Sequence, residues 1–416
     1  MAMDSIRINN LNPDIFRASA DQFGGSKERA TIVNAARMLM AERAGLDQNA
    51  LRANAGKDAV YESALKREGL TYEEANKKVQ RNLMLYCAKQ AANVTGEVAP
   101  DTYEKFAANG RMYSKDPTFL RVLSGIVRDI ITPVLPAVMS GALDWLAQTV
   151  TVPLGQTYEI DVASNDIFLF EDDSWGASRS KPSNYQYTST VTLNPRPKTA
   201  KATWKWYQLA GNNADLGRTF NAIAAGMYSK ITAMWTEAMV KATADTKYMP
   251  TNMQFTFSNA NWITAAKRVA MLNRVGVNQV MAFGDYLALS HVLPTTANGT
   301  NTNLDAALAT MLGVEWARYG YLGDFMNVRL FPIENAVVPG TQNTTITEVV
   351  PNNMIWMFAA PGAGYKPVYI AFEEGTPITL ELTPSETADM SIEIVVTTSI
   401  DAKPVFASRG AVIKPV

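Results

Sequence analysis

The chain is nearly without the two side chains on which much soluble catalysis depends: in 416 residues it has one cysteine, Cys87, and one histidine, His291. A lone cysteine permits no internal disulfide and no thiolate metal cluster. A lone histidine removes the paired imidazoles of metal sites and most acid–base and nucleophile pairings, leaving carboxylate-based and lysine-based chemistry open. Net charge is also scarce. With 38 Lys+Arg against 39 Asp+Glu, the formal total is −1, so no whole-molecule field draws the chain to nucleic acid, an anionic membrane or a polyanionic substrate. Long apolar runs are missing too: the richest window, 126–146, is broken by Arg128, Asp129, Pro133, Pro136 and Asp144 and cannot span a bilayer. The opening MAMDSIRINN lacks a signal core, and the chain reads as a soluble protein made inside the cell.

What is present is material for a core. Hydrophobic residues make up 47% of the chain, which excludes disorder as its main state. At ~100–200 residues per domain, it should form two or three packed units.

The first 116 residues carry 17 Lys+Arg and 15 Asp+Glu, nearly twice the charge density of the remainder, and read as short helices joined by turns. Candidates run over 26–45 and 57–69, and a third opens on the capping box Thr71-Tyr72-Glu73-Glu74. The apolar positions Tyr72, Ala75, Val79, Leu83 and Tyr86 of this third helix keep one helical face. Each helix has one narrow apolar stripe and few aromatics, which predicts an arm that packs on something else. Asp116-Pro117 starts a further helix that ends before Pro133.

The pattern then changes to alternation, over 150–162, 185–193 and 200–206, around the irregular Glu171-Asp172-Asp173-Ser174-Trp175-Gly176. Residues 151–210, with nine aromatics, read as an extended β-hairpin, which alone is marginal in water and must be covered by its own chain or another copy. Next, Leu216, Phe220, Ile223, Met227, Ile231, Met234 and Ala238 mark one face of a helix from Asn213 to about Lys241. From Ser258 helices (to Gly276, and around 286–292 and 304–312) alternate with strands (277–283, 328–333, 354–358, 369–372), a compact mixed unit. Strand alternation returns from 378 to 396 and beyond.

Motifs for chemistry are few. There is no Gly-x-x-x-x-Gly-Lys-Ser/Thr loop, no Gly-x-Ser-x-Gly, no His-Glu-x-x-His and no Cys-x-x-Cys; the nearest glycine cluster is Gly362-Ala363-Gly364. Glu171, Asp172 and Asp173 could offer oxygen ligands to a hard cation, but adjacent carboxylates at a turn point apart into solvent more often than they converge. Glu373-Glu374-Gly375 reads as a charged turn, His291 as structural and Cys87 as a small buried hydrophobe. Lys198, Lys201, Trp204, Lys205, Trp206 and Tyr207 could stack on single-stranded nucleic acid, yet on a strand Lys201, Thr203 and Lys205 segregate from Ala202, Trp204 and Trp206, which favours a half-buried strand. No catalytic, cofactor-binding or metal-binding residue is therefore assigned.

The order of parts is informative where the motifs are not. A charged helical arm, an aromatic-rich hairpin, a long helix, a compact α/β unit and a strand return resemble the Hong Kong 97-type major capsid proteins of tailed bacteriophages. The closest likeness lies in the strand 354–358, the small-residue stretch to Tyr365, the strand 368–372 ending at Glu373-Glu374-Gly375, the long strand 390–398 and Ile400-Asp401-Ala402-Lys403-Pro404-Val405. The resemblance implies an α+β fold with a helix-rich N-arm (1–117), a lead into the peripheral or P domain (118–150), an E-loop (151–210), a P-domain spine helix (211–247), an axial or A domain (248–366) and C-terminal P-domain strands (367–416). It implies no enzyme and no cofactor, but a shell of hexamers and pentamers in the virion capsid, made in the host bacterial cytoplasm. Portal and scaffolding proteins, double-stranded DNA against residues such as Arg29, Arg37 and Arg43, and a decoration protein would be its partners, and no membrane. Some members of this family cross-link an E-loop lysine; Lys181, Lys198, Lys201 and Lys205 are available, and nothing marks one. The same fold serves encapsulin shells, which typically lack so long an arm. A carboxylate-dependent glycoside hydrolase using pairs among Glu171, Asp172, Asp173, Glu373 and Glu374 is the reading from another class.

Overall fold

The computed structural model describes residues 20–43, 70–131, 146–163, 188–211, 214–292, 323–333, 335–359, 366–373, 379–384, 391–405 and 409–415. In chain order its helices are α1 (Lys27–Arg43), α2 (Tyr72–Thr95), α3 (Tyr103–Ala108), α4 (Gly110–Tyr113), α5 (Pro117–Ile131), α6 (Trp206–Ala210), α7 (Leu216–Ala244), α8 (Asn259–Asn273) and α9 (Tyr286–Ser290). Its strands are β1 (Ala147–Val152), β2 (Tyr158–Ala163), β3 (Thr188–Leu193), β4 (Arg196–Trp204), β5 (Gln254–Thr256), β6 (Val280–Gly284), β7 (Asp324–Phe325), β8 (Val328–Pro332), β9 (Ile355–Ala359), β10 (Val368–Glu373), β11 (Thr379–Pro384), β12 (Ile392–Pro404) and β13 (Ala411–Lys414). The candidate helices at 57–69 and 304–312 and the acidic run 171–173 lie outside the described residues. The chain divides into one unit of residues 1–141, 196–228 and 373–400 and another of 142–195, 229–372 and 401–416, so α7 and β12 each begin in the first and end in the second.

In the first unit, local signals place the helices as the sequence predicts. Thr71 accepts from the Glu74 amide at 3.4 Å while the Glu74 carboxylate accepts from the Thr71 amide at 2.9 Å, completing the capping box of α2. These hydrogen bonds hold the Glu74 carboxyl below its ordinary range. Gly96 ends the helix at φ +78°, a left-handed conformation that glycine adopts without penalty. Asp116 accepts from the Thr118 amide at 2.9 Å, and Pro117 occupies the first turn of α5.

The arm differs from its expectation. Helices α1, α2 and α5 pack against one another, and between them Phe106 lies 5.6 Å from the Tyr103 ring, 5.0 Å from Tyr113 and 5.8 Å from Phe119. The core they share continues into Trp204, Leu209 and Phe220, and into Ile392, Ile394 and Val396 of β12. The stripes are narrow, but their cover comes from this chain's own β12 and the first half of α7. Strand β12 is flanked by β11 (Thr379↔Thr397 to Pro384↔Ile392) and β4 (Arg196↔Ile400 to Trp204↔Ile392), both antiparallel. Trp204 is buried, donates its indole N–H to Thr219 Oγ1 at 3.3 Å and meets Phe220 edge-on.

A polar row on α2 fixes where α7 begins. Asn76, buried, donates to the Ala214 carbonyl at 2.7 Å and accepts from the Leu216 amide at 3.2 Å. Asp215 Oδ1 accepts from the Tyr72 hydroxyl at 2.7 Å and from the Arg218 amide at 2.9 Å, satisfying a free donor of the first turn. A Cβ at Gly217 would stand 2.5 Å from the Tyr72 hydroxyl and 2.9 Å from the Leu39 carbonyl oxygen. Gly→Ala in a helix ordinarily gains up to ~1 kcal/mol. Here the clash with fixed backbone reverses the sign: Gly217→Ala is expected to lower stability by ~1–3 kcal/mol, read as an earlier denaturation midpoint.

In the second unit a six-stranded sheet runs in the order β5-β13-β9-β6-β8-β7, with β13–β5 and β6–β8 parallel. Helix α8 packs on it, burying Trp262, whose indole N–H donates to the Phe325 carbonyl at 3.2 Å. The residues 277–279, expected as strand, form a 3₁₀ turn that precedes β6.

The hairpin is shorter than its alternation suggested. The sequence 150–162 is broken after Val152 by a turn with Gly155 at φ +72°. Strand β2 then pairs with β3 alone, from Tyr158↔Leu193 to Ala163↔Thr188, while β1 pairs with β10 and β4 with β12. At its base the hairpin is covered from within the chain, Val152 and Leu193 packing with Ala371, and Val162 and Val191 with Val405.

Candidate functional site

The described residues offer little to a reaction. Cys87 is fully buried in the core of the first unit, where burial pushes its thiol pKa far up and leaves no thiolate nucleophile. His291 is exposed and closes the C-terminus of α9 through its backbone amide. Glu373, half-buried at the end of β10, is described; Glu171, Asp172, Asp173 and Glu374 are not. Among the described residues no three of His, Cys, Asp and Glu come together as metal ligands. No helix among them is long and apolar enough to cross a membrane. A depression of about 370 Å³ along the start of α7 is lined by Arg218, Asn221, Ala222 and Ala225, with neither an acid–base pair nor a nucleophile.

Of the arginines expected at packaged DNA, Arg37 is used inside the first unit, which corrects its assignment, while Arg29 is partly exposed and ion-paired. Arg37 is buried and donates to the Asp129 carbonyl. The Arg29 guanidinium holds the Asp129 carboxylate and lies 5.2 Å from the Phe23 ring. Arg43 ends α1, and its side chain is outside the described set. Of the lysines considered for a cross-link, Lys201 pairs with Glu393 across β4 and β12 at 2.6 Å, and Lys205 lies over the Tyr207 ring at 5.8 Å. Lys198 is half-buried, and Lys181 lies outside the described residues. Residues 200–204 form the half-buried strand expected of them, but the strand ends at Trp204 and Trp206 starts α6.

The surfaces instead present apolar side chains. Val94 and Val98 stand 74% and 94% exposed at the end of α2, Ile263 and Met271 share one side of α8, and Tyr286 and Leu287 project from α9.

Sequence reasoning overlooked Tyr103. Its hydroxyl donates to the Leu209 carbonyl inside the core, and desolvation, outweighing the opposing effects of Gln80 and Arg81, raises its pKa to about 12. The pairing spans 106 residues, so no local pattern announces it. Because the folded pKa lies above the ordinary value of 10, the neutral phenol stabilises the fold below pH 10, and this contribution is lost as pH rises through about 12. Denaturation midpoints measured at pH 9 and 11 should fall more for the wild type than for Tyr103→Phe.

A family model described as "SPbeta prophage-derived putative capsid protein YonB" matches residues 68–403. No curated protein matches the chain. Among solved structures, that of Mycobacterium phage Patience is 9% identical at a TM-score of 0.42, covering 71% of this chain and 88% of that one. The capsid of the Cyanophage P-SCSP1u is 10% identical at 0.41, covering 66% and 87%. The virus-like particle from Pyrococcus furiosus is 9% identical at 0.34, covering 65% and 89%.

Proposed function

Because the chain belongs to the prophage capsid family typified by YonB, we propose that it is a major capsid protein of the Hong Kong 97-like type, assembling as hexamers and pentamers into an icosahedral head around phage double-stranded DNA. The observation that carries this reading is the extent of the family match, which runs from just before α2 to near the end of β12 and so includes parts of both units. The element order supports it: a β2–β3 hairpin, a helix of 29 residues and ~43 Å, a mixed sheet unit and a late strand pair follow one another as in the resemblance. The role is structural and not enzymatic, and the protein resides in the virion capsid after synthesis in the host bacterial cytoplasm.

The proposed division is an N-terminal region 1–117, a lead 118–150, an E-loop 151–210, a spine region 211–247, an axial domain 248–366 and C-terminal strands 367–416. Partners are copies of the same chain, portal and scaffolding proteins, a decoration protein and packaged DNA. Near-neutral charge supports close packing, since many copies of like charge would repel. Electron microscopy of the expressed full chain, alone and with a scaffold, should show closed shells or free hexamers and pentamers. A homogeneous monomer under both conditions would overturn the reading.

A further inference from the structure

The second half of α7, within the second unit, carries polar side chains along a buried face, and they divide into two kinds. Those at the ends are satisfied by protein. Ser229 Oγ donates to the Val337 carbonyl at 2.8 Å, and Thr243 Oγ1 donates to the Met239 carbonyl at 2.9 Å while accepting from the Trp356 indole N–H at 3.1 Å. Those between are not. Thr232 Oγ1, Trp235 Nε1 and Thr236 Oγ1 are all buried and have no hydrogen-bond partner, though the three residues are fully buried or within 5% of it.

Thr232 has Trp235 and Thr236 as its i+3 and i+4 neighbours, so the three side chains leave the same side of the helix. Leaving a buried polar atom unpaired costs ~1–3 kcal/mol, and three together would cost a large share of an ordinary protein's net stability. A threonine hydroxyl can rotate towards the carbonyl four residues back. An indole N–H has no such local escape, because the rigid ring cannot turn its nitrogen onto a carbonyl of its own helix. The adjacent tryptophan makes the contrast plain. Trp235 and Trp356 meet edge-on with centroids 5.6 Å apart, yet Trp356 has an acceptor for its N–H and Trp235 has none.

We infer that this cluster is a binding site for internal water, built by Thr232, Trp235 and Thr236. The chemistry of the three groups selects the ligand. One is a pure donor and two can donate or accept, so the occupant must accept from the indole and exchange either sense with the hydroxyls. No charged residue belongs to the cluster, and an ion would carry a heavy desolvation cost there. Water makes about three hydrogen bonds when buried, the number on offer.

A crystal or cryo-electron-microscopy map of the full chain that resolves ordered solvent tests this directly. A water peak within hydrogen-bond distance of Trp235 Nε1 and of at least one of the two threonine hydroxyls is expected. Thr232→Val and Thr236→Val keep the shape and remove the hydroxyl; each should weaken or abolish the peak and lower the denaturation midpoint, while Thr→Ser at the same positions should retain both. A dry map with the indole unpaired, or with its N–H on a protein acceptor, overturns the inference. So does a Thr→Val pair that leaves the midpoint unchanged or raises it, since an isosteric apolar swap gains only where the hydroxyl was unpartnered.

Discussion

Deletion of residues 1–117 is expected to unfold the first unit and not merely to impair association. The segment contributes Val33, Leu83, Met84, Phe106 and Tyr113 to a core whose other walls are Phe119, Ile126, Trp204, Phe220, Ile392 and Ile394. Uncovering these walls forfeits ~1.5–3 kcal/mol for each large apolar side chain returned to water. Six such losses reach ~9–18 kcal/mol, as large as the ~5–15 kcal/mol by which a domain is stable at all. The deleted chain should be recovered from the insoluble fraction or, if refolded, should bind a hydrophobic dye and lose the aromatic circular-dichroism signal of its core tryptophan. A soluble deleted chain that unfolds cooperatively at the full-length midpoint would show that the helical region is an appendage. The narrow apolar stripes of the sequence predict that milder outcome, and the shared core is the reason to expect the severe one.

The largest expected effect of one substitution lies in the same core. Phe106 is fully buried among the rings of Tyr103, Tyr113 and Phe119, so Phe106→Ala removes a ring with three aromatic neighbours and leaves a cavity. Large-to-small changes of this kind cost ~3–5 kcal/mol. Chemical denaturation followed by tryptophan fluorescence should show the first unit's transition at much lower denaturant, with Trp204 as its reporter. Met112→Ala, six residues away and 44% exposed, is the control and should change the midpoint little. Equal responses from the two variants would mean that the ring cluster contributes nothing beyond general helix packing.

How much of this was legible beforehand depends on the range of the interaction. Local signals were read correctly because they act within a few residues: the capping box of α2, Pro117 at the start of α5, and the apolar rhythm of α7, expected from Asn213 and found from Leu216. Strand alternation shows which face is buried but not which strand lies alongside. The stretch 151–210 therefore looked like a single hairpin, whereas β4 belongs beside β12, nearly 200 residues later. The packing of the helical region is hidden from the sequence for the same reason. Its aromatics are spread over the short helices α3 and α4 and the start of α5, where no stripe collects them, and they converge only in three dimensions. Asn76 shows the limit for polar groups. On sequence it is one more polar residue of a charged helix, and its role as a clamp on Ala214 and Leu216 depends on contacts 138 and 140 residues away. The absence of site motifs was legible, but the unpartnered threonines and indole of α7 were not, since the sequence shows donors without their acceptors.

The register of β12 against β4 has a consequence for how the protein is made. Ile392 and Ile394 complete a core begun by helices that end at Ile131, so the ribosome must add about 260 residues between the first wall and the last. At ~5–20 residues per second this takes roughly 13–52 s, during which Phe106 and Phe119 lack their final cover. Folding of the first unit is then a late, long-range closure of high contact order and not an event that follows the emergence of its helices. For a protein needed in many copies at once, that interval is when nascent chains are most prone to aggregate, and when holdase chaperones would find the most apolar surface to bind.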